Sequence, residues 1–144
     1  MNELNTREEF EIWLFEMDNA LDDLFELFKE KDLEELKKYS LDSLNIIEEW
    51  LLIKFNLPDE ILEKSNKIIL DSSSRFIGEV IRKKVSGKWS IELKDKDDAY
   101  FGIPVIVSKD EKHFFDCPHS LTTALLDRRE KQWLKGVVEY IIDI

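Results

Sequence analysis

Phe10, Trp13, Leu14, Met17, Leu21, Leu24, Phe25 and Phe28 recur at steps of three and four. That spacing lays one apolar stripe along a helix and predicts a single helix over residues 7–30. Thr6-Arg7-Glu8-Glu9 puts a hydroxyl and then a carboxylate at capping-box spacing just before it. "KDLEELKKYS" reads as a short second helix with Asp32 as a cap. "SLDSLNIIEEWLLIKF" sets Leu44, Ile47 and Leu51 on one side, with Ile46, Trp50 and Ile53 beside them, so this helix is expected to be central. Pro58 ends it and opens the next. That next helix is expected from Asp59 to about Lys84, facing inward with Ile61, Leu62, Ile68, Ile69, Phe76, Ile77, Val80 and Ile81. The weak helix formers of "DSSSR" predict a kink or break near residues 71–74.

From Ser86 the period changes. In "KWSIELK", Trp89, Ile91 and Leu93 alternate with Ser90 and Glu92, the pattern of a half-buried strand. "AYFGIPVIVS" reads as a second strand, in which Pro104 favours an edge or a bulge because it lacks an amide donor. "HFFDC" reads as a third. Ser120 is placed to cap a last helix from Leu121 to about Ile142. Helices, then strands, then a closing helix predict an α+β fold: a helical N-terminal half, a three-stranded antiparallel meander and a C-terminal helix, in one domain over residues 1–144.

Gly78 interrupts an otherwise good helix, where glycine costs about 1 kcal/mol relative to alanine. Close approach of a neighbour is the compensation expected. Ser74 and Gly78 share a face, and Trp89 starts the hairpin directly afterwards, so its ring is expected to fold back onto Gly78. Glu79 lies at pairing distance in sequence from Arg82 and Lys83. Trp13, Trp50, Trp89 and Trp133 fall one per major segment and read as core.

Charge changes the picture. The net charge is −11, and it is not evenly spread. Residues 1–64 carry 19 acidic and 7 basic side chains, a net −12, whereas residues 65–144 carry 13 and 14, a net +1. Such a field disfavours nucleic acid and anionic membranes and favours a basic protein partner. Glu16, Asp18, Asp22, Asp23 and Glu26 fall mostly off the apolar stripe of the first helix and are the candidate partner-binding residues. The plainer reading of the same residues is a solvated face. "MNELNTREEF" has no apolar segment of a signal peptide, no run suits a membrane span, and the lone Cys117 suits a reducing compartment, so a cytoplasmic location is expected.

The densest chemistry lies in "HFFDCPH", which gathers His113, Asp116, Cys117 and His119. His113 and Cys117 share a face of an extended strand, and His119 is able to continue it as a third zinc ligand. Cys117 as a nucleophile needs a lowered pKa and a positioned base. The spacing matches no standard zinc module, and strand termination at Cys117-Pro118 accounts for the composition, so neither metal nor cofactor is expected. The scattered glycines form no phosphate-cradling loop.

One segment carries a resemblance. In "SRFIGEVIRKKVSGKW" a helix with "GEVIR", a short turn and "GKW" opening a strand resemble part of several small bacterial proteins, over residues 74–106. Some of these are similar to immunity proteins encoded beside secreted polymorphic toxins. The resemblance implies a cytosolic binding protein and brings no catalytic residue with it. Joined to the acidic N-terminal half, it yields the leading expectation: an immunity-type inhibitor, not an enzyme, docking an acidic surface on a basic toxin and occluding its phosphate track. Two other readings stand beside it. One is a small metal- or thiol-dependent enzyme built on His113, Cys117 and His119. The other is a structural or regulatory homodimer with a merely solvated acidic face.

Overall fold

In the computed structural model, which describes residues 3–143, the chain is α+β as the pattern predicts. The first apolar stripe becomes two helices, α1 (Arg7–Phe15) and α2 (Met17–Phe25). A bend at Glu16 separates them, but the bonds from the Glu16 amide to the Ile12 carbonyl and from the Ala20 amide to the Glu16 carbonyl keep the helical track. The stripe therefore stays continuous, and Phe10, Trp13, Met17, Leu21, Leu24 and Phe25 are all buried. The Glu9 amide donates to Thr6 Oγ1 at 3.1 Å, and the Asn5 amide donates to the Glu9 carboxylate at 3.0 Å, which closes the N-terminus much as the capping box requires. The helix stops at Phe25 rather than residue 30, where tight turns from Leu27 to Leu24 and from Phe28 to Phe25 take over.

Two shorter helices follow, α3 (Glu30–Leu36) and α4 (Ser43–Lys54). Lys29, not Asp32, holds the cap position of α3. Leu44, Ile47 and Leu51 of α4 are fully buried, but Ile53 is 82% exposed. The inward arc of α4 is thus narrower than its composition suggests, and it is not the central helix.

That place belongs to α5 (Lys67–Val85). Its start also differs from expectation: residues 58–66 form two 3-10 turns, Pro58–Leu62 and Lys64–Asn66, and Leu62 in the first of them and Ile68 at the start of α5 are exposed. The expected kink at "DSSSR" is absent. Every residue from Ser72 to Ile81 is buried within one continuous helix. The serines are small enough for α6 (Pro118–Arg128) to pack closely on them. Ser74 Oγ donates to the Leu70 carbonyl at 2.7 Å and lies 3.0 Å from Thr122 Oγ1 across the contact. Packing and these bonds outweigh the weak intrinsic propensity of serine.

The sheet is a meander of three antiparallel strands, β1 (Lys88–Ser90), β2 (Val105–Val107) and β3 (Phe114–Asp116), in the order β1-β2-β3. The strands are shorter than the alternation implied. Trp89 pairs with Ile106, and residues 91–104 form a loop that the Leu4 amide ties down by donating to the Gly102 carbonyl at 2.8 Å. The strand after Pro104 is central rather than an edge; the proline sits just before the first paired residue, where no ladder amide is lost. An irregular register between Ile106 and Val107 marks the β2–β3 pairing.

The predicted last helix is two, α6 and α7 (Trp133–Asp143). Cys117 rather than Ser120 holds the N-cap position of α6, because Pro118 takes the first helical position with its fixed φ. Left-handed Arg129 and Gln132 turn the chain between the helices. The turn is held from α4. The Arg129 guanidinium donates to the carbonyls of Phe55 and Leu52, each at 2.8 Å, and satisfies the C-terminus of α4. The buried Glu48 carboxylate accepts from the amides of Gln132 and Leu134 at 2.6 and 3.0 Å and caps α7 from a distant part of the chain. No described helix is long and apolar enough to cross a membrane.

Candidate functional site

Glu16, Asp18, Asp22, Asp23 and Glu26 lie on α2 or at its two ends, and all five are exposed. The reason is local. Met17, Leu21, Leu24 and Phe25 turn one side of α2 toward α5, so the positions between them face water. Among the described residues none of the five carboxylates forms a salt bridge, although seven ion pairs are present elsewhere. Phe15, directly before this face, is 87% exposed. The arrangement is an unneutralised acidic ridge with an apolar side chain at one end.

Tyr39 registers the field. Burial raises its phenol, and the charges of Glu79, Asp18 and Asp22 raise it further, to about 12. Lys83 Nζ stands 5.1 Å from the centre of the Tyr39 ring, so one cation reaches this flank of the ridge, without a salt bridge among the described residues.

Beneath α2 runs a charged ladder. Asp71, Arg75, Glu79 and Arg82 alternate in sign along α5 at helical spacing. Arg75, only 3% exposed, donates from Nε to Asp71 at 2.7 Å and from Nη1 to the Trp13 carbonyl at 2.7 Å. Its guanidinium also lies 4.1 Å from the centre of the Trp13 ring. Trp13 Nε1 completes the circuit by donating to Asp71 at 2.9 Å. A buried charge this fully bonded avoids the penalty of an unpaired one. Farther along, Glu79 accepts from Arg82 at 2.6 and 3.0 Å and from Trp89 Nε1 at 2.9 Å. Burial alone pushes the Glu79 carboxyl up; the bonds from Arg82 and Trp89 and the Arg82 charge outweigh it and hold the carboxyl below its ordinary value. The ladder is a rigid support for α1 and α2. Asp71 and Arg75 did not stand out in the sequence, although their four-residue spacing is the signal of such a pair.

The residues of "HFFDCPH" part company. His113 is exposed ahead of β3, Cys117 is fully buried at the start of α6, and His119 lies in the first turn of that helix. Among the described residues no three His, Cys, Asp or Glu side chains are grouped to hold a metal ion. The physical reason is Pro118, which ends the extended run that would have aligned the three. Burial pushes the Cys117 thiol up to about 11, and its Sγ faces the Pro104 carbonyl at 3.9 Å. That environment favours the inert thiol over the thiolate a nucleophile needs. Burial pushes His119 down to about 4, with Asp71 opposing the shift.

No family model, curated protein or solved structure matches the chain.

Proposed function

We propose that the chain is a protein-binding inhibitor of the immunity type that acts in the cytoplasm and docks the acidic ridge of α2 on a basic partner. A toxin that binds nucleic acid is the partner class whose surface such a ridge would complement: carboxylates along a helix imitate a phosphate track and occlude it. The observation that carries the reading is the set of five exposed carboxylates without a cationic partner among the described residues. Five exposed like charges on and at the ends of one short helix repel one another, and a basic surface relieves that cost on binding. Phe15, exposed at the ridge's end, supplies an apolar anchor of the kind found at the centre of interfaces.

The test starts with affinity capture on the immobilised chain and with the products of neighbouring genes. For a captured partner, association is then followed at increasing salt. The on-rate should fall steeply, and reversal of Asp22 and Asp23 to lysine should slow it further while melting stays near that of the parent. Reversal of Glu130 and Asp143 in the neutral half is the control. A partner indifferent to salt and to the Asp22/Asp23 reversal leaves the ridge as a solvated face and removes the proposal.

A further inference from the structure

One face of the sheet packs on α5; on the other, Val105 and Val107 form a buried cluster with Cys117, against which Tyr100 and Ile103 pack. Beside that cluster, the 91–104 loop and the β2–β3 turn enclose a groove of about 600 Å³, within the range of roughly 300–1,000 Å³ typical of ligand clefts. Val105 and Val107 belong to its floor. Tyr100 and Phe114 form a wall, their rings stacked at 5.5 Å and 8° from parallel, with Phe114 still 50% exposed. The charged side chains lining the groove are Glu92, Asp98 and Glu111, all carboxylates. The sign follows the acidic 91–104 loop, in which Glu92, Asp95, Asp97 and Asp98 outnumber Lys94 and Lys96, and no basic side chain lines the groove. Backbone amides hold two of the three, Glu92 and Asp98; the Glu92 carboxylate accepts from the Lys94 amide at 3.2 Å. Asp98 accepts from the Tyr100 amide at 2.8 Å, and Glu111 sits in a left-handed turn with φ 63°. Glu111 is partly committed to Lys88, 3.5 Å away on β1, which leaves Glu92 and Asp98 as the lining carboxylates without a salt bridge among the described residues.

We propose that this groove binds an arginine side chain presented by a basic segment of a protein partner. A planar guanidinium stacks on an exposed aromatic face while its fork of N–H donors meets carboxylates at the rim. Its aliphatic stem suits the exposed part of Phe114. A lysine ammonium lacks both the plane and the fork, so the groove discriminates between the two basic side chains. No residue lining the groove belongs to α2, and the inference stands whether or not the α2 ridge has a partner.

The test uses the full chain and two short peptides, acetyl-Gly-Arg-Gly-Arg-Gly-amide and its lysine counterpart, with backbone NMR shifts followed by titration. Saturable shifts with the arginine peptide should map to residues 90–92, 98–100 and 105–114. The lysine peptide should bind several-fold more weakly. The double variant Glu92→Gln/Asp98→Asn should weaken arginine-peptide binding by on the order of tenfold. It keeps an acceptor oxygen for the amides of Lys94 and Tyr100, so the loop retains its local bonds. Phe114→Ala should weaken it comparably by removing half of the aromatic wall. The Asp22/Asp23 reversal should leave it unchanged, which separates this site from the α2 ridge. Shifts confined to α2, equal affinity for the two peptides, parent-like binding by the Glu92/Asp98 variant, or no saturable binding at all would each overturn the proposal.

Discussion

The Trp89 ring occupies the space where a side chain at position 78 would begin. A Cβ built on Gly78 falls 2.0 Å from Trp89 Cη2 and 2.9 Å from Pro118 Cγ. The ring has little freedom to withdraw. Its Nε1 is bonded to Glu79, and it meets Trp13 edge-on at 4.8 Å. Gly78 thus lets β1, α6 and α1 converge on one turn of α5. Alanine at this site should gain about 1 kcal/mol in helix propensity and still destabilise, because overpacking costs about 1–3 kcal/mol and here displaces a bonded indole. Leucine should be worse. Urea unfolding of Gly78→Ala and Gly78→Leu checks the order; a parent-like midpoint for leucine would contradict it.

This joint was legible in the sequence because a glycine in a helix and a tryptophan opening the next strand are two halves of one contact. The order of elements was legible for the same kind of reason: the change of period at Ser86 marks where helices give way to strands. Less legible were the points where tertiary contacts override local preference. Ser72, Ser73 and Ser74 look like a helix break until α6 is seen against them. Ile53 and Ile68 look like core until their helices are seen to be bounded by shorter inward arcs. Neither the reach of Glu48 to α7 nor the groove beside Glu92 and Asp98 had a local signal, since both join residues far apart in the chain.

The cap on α7 makes its own prediction. Glu48, 2% exposed, is the acceptor for the Gln132 and Leu134 amides. Replacing it with alanine should leave these donors without a side-chain acceptor and cost about 1–3 kcal/mol, the range for stranding a buried polar group. Glu48→Gln retains one acceptor oxygen and should cost less. Hydrogen exchange of the Leu134 amide is the direct readout, and it should accelerate in the alanine variant.

Cys117 should be chemically silent in the folded chain. Its thiol is buried and pushed up to about 11 by that burial, so the reactive thiolate is scarce at neutral pH. Labelling with a disulfide reagent should proceed only through unfolding and should become rapid in denaturant. Fast labelling of the native chain would revive the thiol-dependent reading of this segment.

Acid stability should bear the mark of His119. Burial holds its imidazole at about 4 in the folded chain, against the ordinary 6.5. Between those values the unfolded chain takes up a proton that the folded chain refuses. The His119 contribution to stability must therefore fall as pH drops through 6.5 and level off below about 4. Glu79 acts in a lower window. Its carboxyl is held below 4.5 in the folded chain, so its contribution is present above 4.5 and is lost only as pH falls through the folded value. Asp116 has the opposite sign, since burial raises its carboxyl and acidification favours it. Comparing parent with His119→Gln cancels Glu79 and Asp116, which both chains retain. Urea midpoints should then diverge between about pH 6.5 and 4.5, with the parent losing stability more steeply and the variant following a flatter curve until Glu79 begins to protonate. Parallel curves for the two chains across that interval would show that His119 titrates as it does in the unfolded chain, and that its packing in the first turn of α6 leaves it open to solvent.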